Sequence, residues 1–112
     1  MVLDLGLMMD SFDMNFSWNW ERLKMFTKNF ISNVFMFIND TRISIIVFNT
    51  NPSIELRFDE RYSFQRVIRV RQQYVTTSNV DKALIMADQV MFREENGMRR
   101  HSSKVTQFLY SE

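Results

Sequence analysis

The sequence predicts an α/β domain: a mostly parallel sheet with helices on both faces and one antiparallel strand at its edge. Three observations lead there. Stripes of apolar residues at helical spacing alternate with short apolar runs, the pattern of a sheet covered by helices. The runs at 2–9 and 42–48 are mostly apolar, close to the pattern of strands buried on both faces. The segment 53–58 follows 42–48 after only a short loop around Pro52, which fits an antiparallel hairpin.

The elements follow in order. The run 2–9 ends at Asp10 and reads as a buried strand. From Ser17 the period lengthens to three or four: Trp20, Leu23, Phe26, Phe30, Val34 and Phe37 fall on one helical stripe, with Glu21, Lys24, Lys28 and Asn29 mostly on other faces. Ser17 fits an N-cap, since its hydroxyl can accept from a free amide of the first turn. Asn39 and Asp40 mark a turn before the β-branched run 42–48. In 53–58, Ile54, Leu56 and Phe58 alternate with Glu55 and Arg57, predicting one buried face. A weaker helical stripe passes through Phe64, Val67 and Ile68. A clear one joins Val80, Ala83, Leu84, Ala87 and Met91, with Gly97 where a helix C-terminal cap is expected. The run 104–110 is the last strand candidate. The predicted order is β-α-β-β-α-α-β.

The chain has 112 residues, 46% hydrophobic, 14% aromatic and 24% charged, so one small ordered domain over 1–112 is expected. A formal net charge of +1 gives no electrostatic case for nucleic acid or an anionic membrane. Arg93, Arg99, Arg100, His101 and Lys104 read as a solvated basic loop. The absence of cysteine excludes disulfides, thiolate zinc sites and cysteine nucleophiles. No apolar run approaches the ~20 residues of a membrane span, and residues 1–10, with Asp4 and no basic start, read as a strand and not as a secretory signal. His101, the one histidine, stands in a polar stretch with no base, nucleophile and orienting group around it. No nucleotide-binding fingerprint occurs. Catalysis is therefore not expected. Met8, Met9, Met25, Met36, Met86 and Met91 are expected to fill core space, and of Trp18 and Trp20 one is expected inside.

Several segments then resemble, in order, the von Willebrand factor type A (vWA) domain. Residues 3–11 (LDLGLMMDS) resemble its opening strand, which runs apolar into an Asp-Ser pair. Residues 20–26 (WERLKMF) resemble its first helix, and 41–48 (TRISIIVF) its second strand. Residues 78–84 (SNVDKAL) resemble the opening of its third helix, and Lys104-Val105 lead what looks like its fourth strand. The resemblance implies a Rossmann-like three-layer αβα fold, here truncated after the fourth strand.

The family's metal-ion-dependent adhesion site is Asp-x-Ser-x-Ser after strand one, a Thr before the third helix and an Asp after strand four. These are hard oxygen donors of the kind Mg²⁺ requires. By that pattern Asp10, Ser78 and Ser111 are the vestigial metal positions, with Thr76 a poorer match than Ser78. Phe12 and Met14 occupy the two serine positions and cannot ligate Mg²⁺; Asp13 is one step out of register. No cofactor is expected and Mg²⁺ is disfavoured. Without metal, Ser78 is expected to cap the helix, with Asp81 completing a capping box. Asn15 and Asn39 head N-glycosylation sequons.

The resemblance implies a non-enzymatic adhesion module, secreted or extracellular, with protein partners such as matrix proteins or collagens. A structural spacer or an intracellular scaffold subunit are the alternatives. The last strand would be an exposed edge, which predicts marginal stability or self-association.

Overall fold

The computed structural model describes residues 1–11, 17–63 and 79–109. Four strands, β1 (Val2–Asp10), β2 (Asp40–Phe48), β3 (Ser53–Leu56) and β4 (Ser103–Leu109), form one sheet in the order β3-β2-β1-β4. β1 pairs in parallel with β2 and with β4, while β3 runs antiparallel on β2. The helical stripe predicted around Phe64 and the strand end at Tyr110 lie outside the described residues.

β1 is central, and it is buried along almost its whole length. Its odd residues Leu3, Leu5, Leu7 and Met9 join Ile43, Ile45 and Val47 of β2 under helix α1 (Ser17–Phe37). Met8, Ile46 and Phe48 face the other way, against Ala83, Ala87 and Met91 of the helical segment after residue 79. Each buried side chain of this size contributes about 1.5–3 kcal/mol. That second segment is α2 (Val80–Met86), which continues into a π turn (Ala87–Met91) and then a 3₁₀ turn (Glu94–Asn96).

Helix α1 packs on part of the stripe the spacing suggested, with Phe30 and Val34 also against the core, but the buried face is turned away from Phe26 and Phe37. Trp20, Leu23, Lys24, Thr27 and Ile31 are buried, whereas Phe26 is 56% and Phe37 81% exposed. Lys24 lies along the core and reaches the carboxylate of Glu21 at 3.0 Å, a long stem buried with its charge at the rim of the apolar surface. Thr27 is tolerated inside because its hydroxyl donates to Leu23 O at 2.8 Å. Of the methionines expected in the core, Met8, Met9 and Met91 are fully buried and Met86 partly, but Met25 and Met36 are 47% and 71% exposed. Trp20 is buried, and the side chain of Trp18 lies outside the described ones.

β3 also departs from simple alternation. Ile45 pairs with Leu56 but Ile46 with Ile54, so Glu55 is an extra residue in a bulge. Leu56 therefore packs under α1, while Ile54 and Phe58 face α2. Gly97 is in the left-handed region at φ 88°, capping the 3₁₀ turn and not the main helix. Gly6 lets the end of the π turn close on β1: a Cβ there would lie 2.8 Å from Phe92 Cζ.

Arg99, read from sequence as part of a solvated loop, is instead built into the amino-terminal end of the sheet. Asp4, near the start of β1, is 0% exposed. It accepts from the Arg99 backbone N–H at 2.6 Å and from Arg99 Nε at 2.9 Å. The same guanidinium donates to Leu3 O at 2.7 Å and pairs with Asp40 at the start of β2. Burial opposes the charge on Arg99, but the hydrogen bonds and charges of Asp40 and Asp4 outweigh it and raise its pKa. The other basic residues are at the surface: Arg100 pairs with Glu94, His101 is exposed, and Lys104 Nζ donates to Arg99 O and Ser102 O at 3.0 and 2.8 Å.

Candidate functional site

β1, β2 and β4 are parallel, so their carboxyl ends share one rim. Chain order leaves β1 toward β2 on one side and meets β4 on the other. In open α/β sheets the strand ends at such a reversal are the usual ligand position. Asp10, the last residue of β1, stands there beside Phe48 of β2 and is partly buried. It is the one predicted metal position within the described residues. Ser78 and Ser111 lie outside them, as do Phe12, Asp13, Met14, Thr76 and the sequon residue Asn15. Asn39 is exposed in the turn between α1 and β2.

The groups around Asp10 are tied to one another. Ser11, 1% exposed, extends the ladder by donating its N–H to Phe48 O at 2.9 Å. Its hydroxyl donates to the same carbonyl at 3.1 Å and accepts from Asn49 Nδ2 at 3.0 Å. Asn49, itself buried, accepts from Asn51 N–H at its Oδ1 (3.1 Å) and from Asn79 N–H at its backbone carbonyl (2.6 Å). This last bond joins the β2 loop to the start of α2. Asn79, not Ser78, caps that helix: its Oδ1 accepts from Lys82 N–H at 3.0 Å. The capping box expected through Asp81 is replaced by this arrangement, and Asp81 is exposed. Lys82 Nζ reaches Asn51 Oδ1 at 3.3 Å, which sets an ammonium on the rim.

Sequence reasoning missed Asn49, Asn51, Asn79 and Lys82, which it took as loop and helix surface. Two of them had a usable signal. Asn49 follows the last apolar residue of β2 directly, and Asn79 directly precedes an apolar helical stripe, where asparagine is a preferred cap. Among the described residues, no group of three His, Cys, Asp or Glu side chains is placed to hold a metal ion, and no helix is long and apolar enough to cross a membrane.

An open αβα sheet with this strand order defines a Rossmann-like domain. The chain belongs to the von Willebrand factor type A domain family, whose model matches residues 11–111. Three similar solved structures are of proximal thread matrix protein 1 from the mussel byssus. One crystal form has a TM-score of 0.86 at 10% identity, covering 96% of this chain and 30% of that one. A second, described with a zinc-occupied metal-ion-dependent adhesion site, has a TM-score of 0.83 at 10% identity with the same coverage. A third has a TM-score of 0.79 at 9% identity, covering 94% of this chain and 29% of that one. The chain thus spans about 30% of the length of these structures, and at such identities the likeness is one of fold. No curated protein sequence matches the chain.

Proposed function

We propose that this chain is a non-catalytic protein-binding module of an adhesive or extracellular-matrix protein, that 1–112 act as one domain unit, and that it holds its partner without a bridging metal ion. The carrying observation is the state of the rim. Around Asp10 the oxygen and amide groups of Ser11, Asn49 and Asn79 are engaged in knitting β1, β2 and α2 together. The side chains of Phe12 and Met14 carry no oxygen donors. A small dication needs close to six oxygens and favours several charged ones. One carboxylate, with an ammonium nearby, does not fit that need.

The matrix setting is supported by family membership and by the byssus thread protein that shares the fold. Matrix proteins or collagens are the partners this favours, and an extracellular location goes with them. The exposed turn at Asn39 suits an N-linked glycan, and Asn15 is the second acceptor proposed.

Differential scanning of thermal unfolding, with chelator and then with millimolar Mg²⁺, Mn²⁺ or Zn²⁺, tests the metal reading. No change in Tm is expected. A site filled at a hundred times its dissociation constant would add about 2.7 kcal/mol, roughly 11–16 °C for a domain of this size, and that shift would overturn it. Retention on immobilised collagen that is unaffected by chelator supports the binding reading; retention abolished by chelator contradicts it.

A second reading, an assembly module, rests on β4. Residues Ser103–Gln107 are all exposed, and among the described residues β4 pairs only with β1.

A further inference from the structure

At the far end of α2 from the rim, three elements enclose an open cavity of about 500 Å³ lined by Arg57, Gln89, Val90, Arg93, Glu95 and Asn96. Arg57 comes from the backbone just after β3, Gln89 and Val90 from the π turn, and Glu95 and Asn96 from the 3₁₀ turn. The π turn exists because Phe92 N–H donates to Ala87 O, five residues back, at 3.0 Å. Ala87 and Met91 stay in the core while Gln89 and Val90 face out. Single π turns inside helices recur at functional sites. The floor is rigid: Asn96, 6% exposed, donates its amide to Ser44 Oγ at 3.2 Å and to Met91 O at 3.0 Å.

Both guanidiniums are held from behind. Arg93 donates Nε to Asp88 O at 3.2 Å. Arg57 donates Nη2 to Glu95 O and pairs with Asp59 at 3.1 Å. Neither terminal nitrogen of Arg93 has a protein acceptor among the described residues. A guanidinium tethered through Nε presents the other two nitrogens as a fork that matches the two oxygens of a carboxylate. Arg57 is already paired with Asp59 and Glu95 also lines the cavity, so the positive group a ligand meets is the Arg93 fork alone, which suits a singly charged carboxylate better than a phosphate dianion. Val90, 46% exposed, adds apolar contact for a methylene stem.

We propose that this cavity docks an acidic side chain, Asp or Glu, carried on an extended segment of a protein partner, with Arg93 as the anchor. The inference goes beyond the binding-module reading and involves neither the rim nor a metal.

The test is an NMR titration of the ¹⁵N-labelled full chain in chelator, following backbone amides and arginine Nε. Three probes are used: acetyl-Ala-Glu-Ala-amide, its Gln counterpart and inorganic phosphate. The glutamyl peptide is expected to shift Gln89, Val90, Arg93 and Glu95 saturably. Arg93→Gln should weaken it about tenfold or more, the loss of a charge-assisted pair, with Tm unchanged. Gln89→Ala should weaken it less. Equal binding of the glutaminyl peptide, undiminished binding by Arg93→Gln, absence of shifts at these residues, or tighter phosphate binding would each overturn the proposal. None of these outcomes bears on chelator-resistant retention on collagen, so the two readings fail separately.

Discussion

Replacing Arg99 by methionine removes a guanidinium from a carboxylate that has no exposed surface, while Arg99 itself is only 20% exposed. Breaking one partner of a buried pair costs about 3–5 kcal/mol, because the remaining charge is left in a poor solvent. The lower end applies here. Asp4 keeps the backbone N–H of residue 99 at 2.6 Å, and Asp40, 63% exposed, can return to water. The expected loss is therefore about 3 kcal/mol, a large share of the roughly 5–15 kcal/mol available to a domain. It should lower Tm by roughly 12–18 °C. Urea melts of wild type, Asp4→Asn, Arg99→Met and the double variant close the cycle. The amide introduced by Asp4→Asn still accepts a hydrogen bond but brings no charge, so the double variant should be more stable than the sum of singles by about 1 kcal/mol or more. A loss below about 1 kcal/mol for Arg99→Met, or an additive cycle, would refute the idea that this pair holds the amino-terminal end of the sheet.

Other perturbations separate local backbone strain, burial and edge effects. Gly97→Ala must place a Cβ at positive φ and within 2.8 Å of Asp59 Cα; adding the left-handed penalty to a backbone clash gives a loss of about 3 kcal/mol. Gly6→Ala meets the side-chain ends of Met91 and Phe92 instead, which can move, so a loss of about 1–2 kcal/mol is expected in the same denaturation assay. Tyr62 Oη is buried without a partner among the described residues, so Tyr62→Phe should leave stability unchanged or raise it by up to about 1 kcal/mol. Burial raises the Tyr62 pKa above its ordinary value, which means the native state favours the neutral phenol. That contribution is complete below pH about 10 and lost as pH rises through the folded value. The gap between Tyr62→Phe and wild type should therefore widen in urea melts from about pH 9 to about pH 11. Val105→Lys places a charge on the β4 edge; sedimentation velocity should show less self-association than for wild type, and unchanged association would exclude that edge as the contact.

Much of the architecture is written locally. The runs in β1 and β2 are apolar at nearly every step because both faces of those strands are covered, and burial patterns bear this out. The short Pro52 loop allows only a reversal, and β3 is antiparallel. The donor-poor residues at positions 12 and 14 are a fact of sequence alone. Other features needed the third dimension. An apolar residue every third or fourth step says that a helix has a buried side, but the side is chosen by the sheet it meets. Lys24 and Thr27 therefore turned inward and Phe26 and Phe37 outward. The bulge at Glu55 moves Leu56 to the opposite face from Ile54 and Phe58, something a period of two cannot express. The pairing of Asp4 with Arg99 spans 95 positions, and a charged side chain carries no local mark of its distant partner. The rim network of Ser11, Asn49 and Asn79 is of the same kind: polar residues read as loop until three strand and helix ends are brought together.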